Sequence, residues 1–441
     1  MAFLTSSDKA LWHLALPMIF SNITVPLLGL VDTAVIGHLD SPVYLGGVAV
    51  GATATSFLFM LLLFLRMSTT GLTAQAYGAK NPQALARALV QPLLLALGAG
   101  ALIALLRTPI IDLALHIVGG SEAVLEQARR FLEIRWLSAP ASLANLVLLG
   151  WLLGVQYARA PVILLVVGNI LNIVLDVWLV MGLHMNVQGA ALATVIAEYA
   201  TLLIGLLMVR KILKLRGISG EMLKTAWRGN FRRLLALNRD IMLRSLLLQL
   251  CFGAITVLGA RLGSDIIAVN AVLMTLLTFT AYALDGFAYA VEAHSGQAYG
   301  ARDGSQLLDV WRAACRQSGS VALLFSVVYL LAGEHIIALL TSLTQIQQLA
   351  DRYLIWQVIL PLVGVWCYLL DGMFIGATRA AEMRNSMAVA AAGFALTLLT
   401  LPWLGNHGLW LALTVFLELR GLSLAAIWRR HWRNGTWFAA T

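Results

Sequence analysis

Long, continuous runs of apolar residues constrain this chain more than any other feature of it. Stretches such as 88–106, 187–209 and 314–332 have no two-residue alternation and are long enough to cross a bilayer core. Inside lipid no water is present to pair a backbone N–H or C=O, so only helices or a closed barrel can span. Unbroken apolarity selects helices, because barrel strands alternate outward apolar and inward polar residues. Composition agrees. The 441 residues are 60% hydrophobic and 12% charged, with a mean hydropathy of +0.85. A soluble domain carries roughly 25% charged residues. The expected fold class is an all-α membrane protein with 12 transmembrane helices, from a first span at Leu11 to Gly37 to a twelfth at Leu409 to Trp428.

A net charge of +9 invites a nucleic-acid reading, but the distribution of charge points to a membrane. The basic residues gather in alternate gaps between apolar runs, most densely over Arg210 to Arg233 and in the tail at Arg429, Arg430 and Arg433. This is the positive-inside pattern, and it places both termini in the cytoplasm. No nucleic-acid partner is expected; membrane lipids are. The basic stretch between the halves reads first as a topology anchor and second as a contact for anionic headgroups. The first span follows Lys9 and is too long for a signal-peptide core, so it is expected to be retained.

The chain repeats itself. Gln75-Ala76-Tyr77-Gly78-Ala79-Lys80 returns as Gln297-Ala298-Tyr299-Gly300-Ala301-Arg302. Pro140 matches Pro361, Gly150 and Gly154 match Gly372 and Gly376, and Thr194 and Glu198 match Thr414 and Glu418. One offset near 220 residues covers them all, which marks a single duplication. Six spans per half make both halves enter from the same side, giving parallel repeats. The expected domains are a six-helix lobe over 1–209, a cytoplasmic basic linker over 210–233 and a second six-helix lobe over 234–441. Two such lobes suit a transporter that alternates access by rocking.

Ionisable groups in hydrocarbon cost at least about 2.5–3.5 kcal/mol each and persist where they are paired, hydrated or used. Asp32 lies late in the first span, beyond Pro26, whose missing N–H should bend the helix. Its alternative is a hydrated place at the outer interface. Asn169, Asn172 and Asp176 stand at i, i+3 and i+7 of the fifth span and share one face. That stripe is either an ion site or glue between helices. Thr194 follows the small-residue run from Gly189 and shares a face with Glu198, which reads equally as a structural contact. In the second half Asp285-Gly286 and Asp371-Gly372 pair an acid with a glycine that permits close approach. Their bland reading is internal pairing, with Arg379 as the nearby candidate for Asp371.

No phosphate-binding loop ending in Lys-Ser/Thr occurs, which disfavours ATP-driven transport, and no enzyme signature is visible. The expectation is not an enzyme, with no organic cofactor and no resident metal. Cys251, Cys315 and Cys367 read as small core residues. The histidines fall mostly at span ends, and Trp136, Trp151, Trp403 and Trp428 read as interfacial anchors.

The twelve spans, Leu30-Val31-Asp32-Thr33-Ala34-Val35-Ile36-Gly37-His38-Leu39, the Asn172 and Asp176 pair, the Gly189 to Thr194 run and the repeated Gln-Ala-Tyr-Gly-Ala ends resemble the MATE family of multidrug and toxic compound extrusion transporters, with its MOP-type fold. Within that family the chain looks like the DinF subfamily. The resemblance implies a secondary exporter in the bacterial inner membrane, exchanging H⁺ or Na⁺ for small organic, cationic or amphipathic compounds, and a monomer. It implies a cation-coupling site at Asp32, Asn172, Asp176 and Thr194, also the place for Na⁺; Pro26, Asn169, Glu198, Asp285 and Asp371 are supporting candidates from the reading of the residues themselves. The family's other branch, similar to NorM, leans on second-lobe acids and a seventh-span glutamate; here the seventh span offers Gln249. A lipid or lipid-linked oligosaccharide flippase of related architecture is the rival reading.

Overall fold

The computed structural model describes residues 6–39, 41–229 and 231–438; the side chains of Ser7 and of residues 24–34 lie outside that description. The described chain is helical throughout, without strands. The first helix, α1, runs Ser6–Ile36. Eleven further helical segments are long and apolar enough to cross a membrane. They are α2 (Pro42–Gly78), α3 (Pro82–Leu105), α4 (Glu122–Gly154), α5 (Arg159–Gly182) and α6 (Asn186–Leu215) in the first half. The second half holds α7 (Arg232–Leu262), α8 (Ser264–Gly300), α9 (Gly304–Leu340), α10 (Thr344–Gly376), α11 (Ala380–Leu404) and α12 (Asn406–Asn434). Short helices at Arg107–Val118 and Gly220–Ala226 lie in the gaps after α3 and α6.

The duplicated sequence becomes duplicated backbone. At the end of α2 the N–H of Lys80 donates to Tyr77 and that of Asn81 to Ala76; at the end of α8, Arg302 donates to Tyr299 and Asp303 to Ala298. Lys80 and Arg302 both take a left-handed φ of 53°. The next residue then starts a new helix in each half: the side chain of Asn81 accepts from Ala84 N, and that of Asp303 from Gln306 N. The repeated motif is thus a helix-stop followed by a helix-start. Packing repeats as well. In the first half α4 packs on α2 and α3, and α5 on α6; in the second, α10 packs on α8 and α9, and α11 on α12.

The matched glycines explain how close those helices come. A Cβ on Gly150 would lie 2.6 Å from the carbonyl oxygen of Arg66 on α2, and one on Gly372 would lie 2.7 Å from that of Ala288 on α8. No real side chain fits at that distance, so the small residue is required in both lobes. In α4 the turn at Trp136–Ser138 tightens to a 3₁₀ turn just ahead of Pro140, because the proline ring cannot accept the regular α-turn before it.

By packing, the chain forms two compact units: Thr24–Leu234, and Leu235–Thr441 together with the chain up to Ile23. The first part of α1, up to Ile23, therefore packs with the second-half helices. Arg316 of α9 donates to both Asp8 oxygens, at 3.0 and 2.9 Å, and Gln317 donates to the Asp8 carbonyl at 2.8 Å. Asn22 donates to the carbonyl of Tyr282 on α8.

Two tryptophans expected at the interface are core residues. Trp136 and Trp151 are fully buried. The indole of Trp136 donates to Thr55 Oγ1 at 3.0 Å, and that of Trp151 to the Leu85 carbonyl at 3.0 Å. Their positions near span ends suggested anchors, but the polar edge of an indole can be satisfied inside a bundle when a hydroxyl or a carbonyl faces it. Trp403 does stand exposed. Trp428 packs among Trp311, Trp432 and Trp437. His294 is buried in α8 and not at a span end. Cys251 and Cys367 are buried thiols, and Cys315 is half-buried.

Candidate functional site

The Asn-Asp stripe of α5 turns inward. Asn172 is 1% exposed and Asp176 is 0% exposed, while Ile170, Ile173, Val174 and Val177 face outward. A helix with such a split puts its polar stripe against protein and its branched aliphatic face outside. Asn169, one turn earlier, is half-buried. On α6, Thr194 is buried and its hydroxyl donates to Asn172 Oδ1 at 3.3 Å and to the Ala190 carbonyl at 3.2 Å. Asn172 and Thr194 are therefore brought together across the α5–α6 pair, and Asp176 is buried one turn further along the same face of α5. The small-residue run permits this approach: a Cβ on Gly189 would lie 3.1 Å from the carbonyl of Leu179.

Asp176 is also the last residue of regular α-helix in α5. From Val177 to Gly182 the backbone widens to a π-helical turn, and the Leu183 N–H reaches back to the Trp178 carbonyl at 2.9 Å. Such widened turns occur disproportionately where a side chain has to be aimed. Among the described residues the buried Asn172 Nδ2 has no hydrogen-bond partner, a cost of about 1–3 kcal/mol if nothing meets it. Pro26 and Asp32 lie on the α1 helix, but their side chains are outside the described residues.

Glu198 belongs elsewhere. Its Oε2 and its carbonyl accept the two donors of the Asn145 amide, at 3.0 and 3.2 Å, which ties α6 to α4. That is a structural polar contact between helices.

In the second unit the pairing of Asp371 corrects the sequence expectation. Its partner is not Arg379. Asp371 Oδ2 accepts Nη2 of Arg244 at 2.7 Å and Nη2 of Arg420 as well. All three side chains are buried. Arg379 lies just past the end of α10 and is bound to Glu382, to the Thr436 and Trp437 carbonyls, and across the face of Trp437. Nearness in sequence suggested Arg379, but the helix axis carries Asp371 more than a turn away from it. The triad instead spans α7, α10 and α12. Asp285 of α8 is half-buried and within electrostatic reach of Asp371, Arg420 and Arg244.

Arg244 and Arg420 are thus the residues that sequence reasoning missed. The signal was available: each is a guanidinium inside an apolar run, which the cost of intramembrane charge marks as paired or used. Arg66, buried in α2 with its Nη1 on Thr70 Oγ1, carries the same signal in the first unit. Among the described residues no group of three or more His, Cys, Asp or Glu side chains has metal-holding geometry.

The arrangement of two helix bundles with these stripes has relatives. The MatE family model matches residues 17–178 and again 241–404, one match in each half. The chain belongs to the MatE family. As a MatE protein it is 99% identical over 441 residues to "DNA damage-inducible protein F" of Escherichia coli strain K12, covering all of this chain and 96% of that one. It is 23% identical over 431 residues to "Probable multidrug resistance protein NorM" of Acinetobacter baylyi, with 95% of this chain and 94% of that protein covered. Solved structures described as MATE in the straight and in the bent conformation match 99% of the chain with TM-scores of 0.85 and 0.84. Both are 20% identical and cover 98% and 100% of those chains, so they speak for the MOP-type transporter fold alone. The MatE chain is a multi-pass membrane protein of a transporter family.

Proposed function

We propose that this MatE protein is a secondary exporter of small amphipathic, cationic organic compounds, driven by inward exchange of H⁺ or Na⁺ across the bacterial inner membrane, with both termini cytoplasmic. The observation that carries the reading is the fully buried Asp176 carboxylate one turn from Asn172, whose amide oxygen accepts the Thr194 hydroxyl. A carboxylate, an amide and a hydroxyl are the oxygen donors that hard cations take, and a carboxylate is also a proton acceptor.

The orphan amide nitrogen suggests how these groups respond. Turning the Asn172 amide by half a rotation exchanges its oxygen and nitrogen. Nδ2 can then donate to Thr194 Oγ1, whose hydroxyl still donates to Ala190. The freed Oδ1 turns to the position the nitrogen now holds, as an acceptor for a cation or a protonated carboxyl. Ion arrival then neutralises the buried charge and changes the packing of α5 against α6. Asp32 of α1 joins this site in the proposal, and Pro26 supplies the bend that lets α1 respond. Export follows if ion and substrate favour opposite states of the lobes.

The second lobe supports assigning the ion to the first. Asp371 already holds two guanidiniums, so a mobile cation there would compete with two tethered ones. The same pairing weakens the flippase reading, because a lipid diphosphate needs guanidiniums that are not already bound.

The test is efflux of a cationic dye from proteoliposomes under proton and sodium gradients imposed separately. The expected result is that one gradient drives efflux in the wild type and neither does in Asp32→Asn or Asp176→Asn. Wild-type efflux in both variants would remove the mechanism.

A further inference from the structure

The C-terminal part of α12, from Leu422 to Asn434, carries a feature that neither fold nor coupling uses. Leu422, Ala425, Ala426, Arg429, Arg430, Arg433 and Asn434 line one groove of about 590 Å³. The spacing from 422 through 425, 426, 429, 430 and 433 is that of a single helix face. The stripe is apolar where the helix is in the membrane and becomes basic over its last turns. Leu422 is 56% exposed, and the three arginines are exposed. None of the three has a hydrogen bond, an ion pair or a ring contact with any described residue. That distinguishes them from Arg316, Arg379 and Arg384, which all find partners on neighbouring helices or the tail.

Helix capping does not explain the cluster. Gly435 ends α12 in a left-handed turn (φ 66°), and the Thr436 N–H donates to the His431 carbonyl. The tail then folds back on another face. Trp437 is buried against Phe374, Tyr299 and Trp428, and its carbonyl accepts from Arg379. As far as Phe438 the tail leaves the arginine stripe bare.

We propose that this groove binds an anionic phospholipid, with the phosphate on Arg429, Arg430 and Arg433 and an acyl chain along Leu422, Ala425 and Ala426. Only an amphiphile meets both halves of the stripe at once. Three guanidiniums with no internal counter-charge favour a negative headgroup over a zwitterionic one. The site lies on the second unit and does not rest on the coupling reading.

The full chain in detergent is titrated with phosphatidylglycerol, with phosphatidylcholine of the same acyl chains and with soluble glycerol phosphate, and bound lipid is counted by native mass spectrometry. Phosphatidylglycerol is expected to be retained in preference to the other two. The triple variant R429Q/R430Q/R433Q is expected to bind it roughly a hundred-fold more weakly, and the triple lysine variant to keep most of the affinity. Leu422→Asn is expected to weaken binding several-fold without altering the charge, because it takes one apolar side chain from the path of the acyl chain. Tryptophan fluorescence checks that the Trp437 packing survives in each variant. Equal retention of phosphatidylcholine, displacement by glycerol phosphate alone, or unchanged phosphatidylglycerol binding by the glutamine variant would overturn the proposal and leave the arginines as topology anchors.

Discussion

Asp176 of α5 and Asp371 of α10 are both buried carboxylates in a duplicated transporter, and their surroundings differ in kind. Asp176 shares its helix face with an amide whose oxygen takes a threonine hydroxyl. Asp371 is held by two arginines from two other helices. The backbone around them was duplicated faithfully: Gly150 and Gly372 make the same close approach, and Lys80 and Arg302 make the same left-handed stop. The charges were not. At the offset that pairs Gly150 with Gly372, Asp371 falls opposite Leu149. Duplication therefore fixed what packing requires in both lobes and left each lobe to acquire its own buried charges. One lobe keeps neutral oxygen donors beside its acid, and the other carries built-in counter-ions.

The comparison breaks most easily at the triad. Removing the shared carboxylate leaves two buried guanidiniums without their counter-charge, so Asp371→Leu should cost roughly 3–5 kcal/mol of stability, read as a lower unfolding midpoint in detergent. Adding Arg244→Met and Arg420→Met in the same chain should recover much of the loss, because an apolar replacement of a whole buried ion group is often neutral. A triple variant no more stable than Asp371→Leu would mean that the triad does more than neutralise charge.

The first lobe should answer in transport and not in stability. Asp176→Asn keeps the shape of the side chain but cannot carry the charge, so folding should hold while ion-driven dye efflux is lost. Thr194→Val removes the hydroxyl that positions Asn172, and about 1 kcal/mol of ion affinity should go with it, visible as a higher ion concentration for half-maximal efflux.

The glycines sharpen the shared part of the comparison. Gly150→Ala and Gly372→Ala should each destabilise by about 1–3 kcal/mol, and by similar amounts, since each added methyl meets a backbone carbonyl. A large difference between the two would show that the lobes pack less alike than their backbones. The smallest effect is Trp151→Phe, where losing the indole donor to Leu85 should cost about 1 kcal/mol in the melting curve.

Much of the scaffold was legible from residues alone. Apolar run length gives helices, and the recurring Gln-Ala-Tyr-Gly-Ala marks helix ends that reappear as matched turns. These are local or periodic properties. The stripe of Asn172 and Asp176 was legible for the same reason, since i and i+4 must share a face. The partners of Asp371 were not, because which guanidinium reaches a carboxylate depends on how α7, α10 and α12 pack. Trp136 and Trp151 were misplaced on the same grounds: a tryptophan near a span end is an anchor or a core residue according to whether Thr55 or Leu85 offers it a partner. The π-helical turn after Asp176 has no sequence signal, as nothing in Val177–Gly182 demands it.

The most direct measurement compares the two acids under one assay. Substrate added to proteoliposomes loaded with the coupling ion should trigger ion release from wild-type protein. The account expects Asp176→Asn to abolish that release while Asp371→Asn, once shown to be folded, still gives it with the wild-type ratio of ion to substrate. Release surviving in Asp176→Asn and disappearing in Asp371→Asn would place coupling in the second lobe and contradict the account.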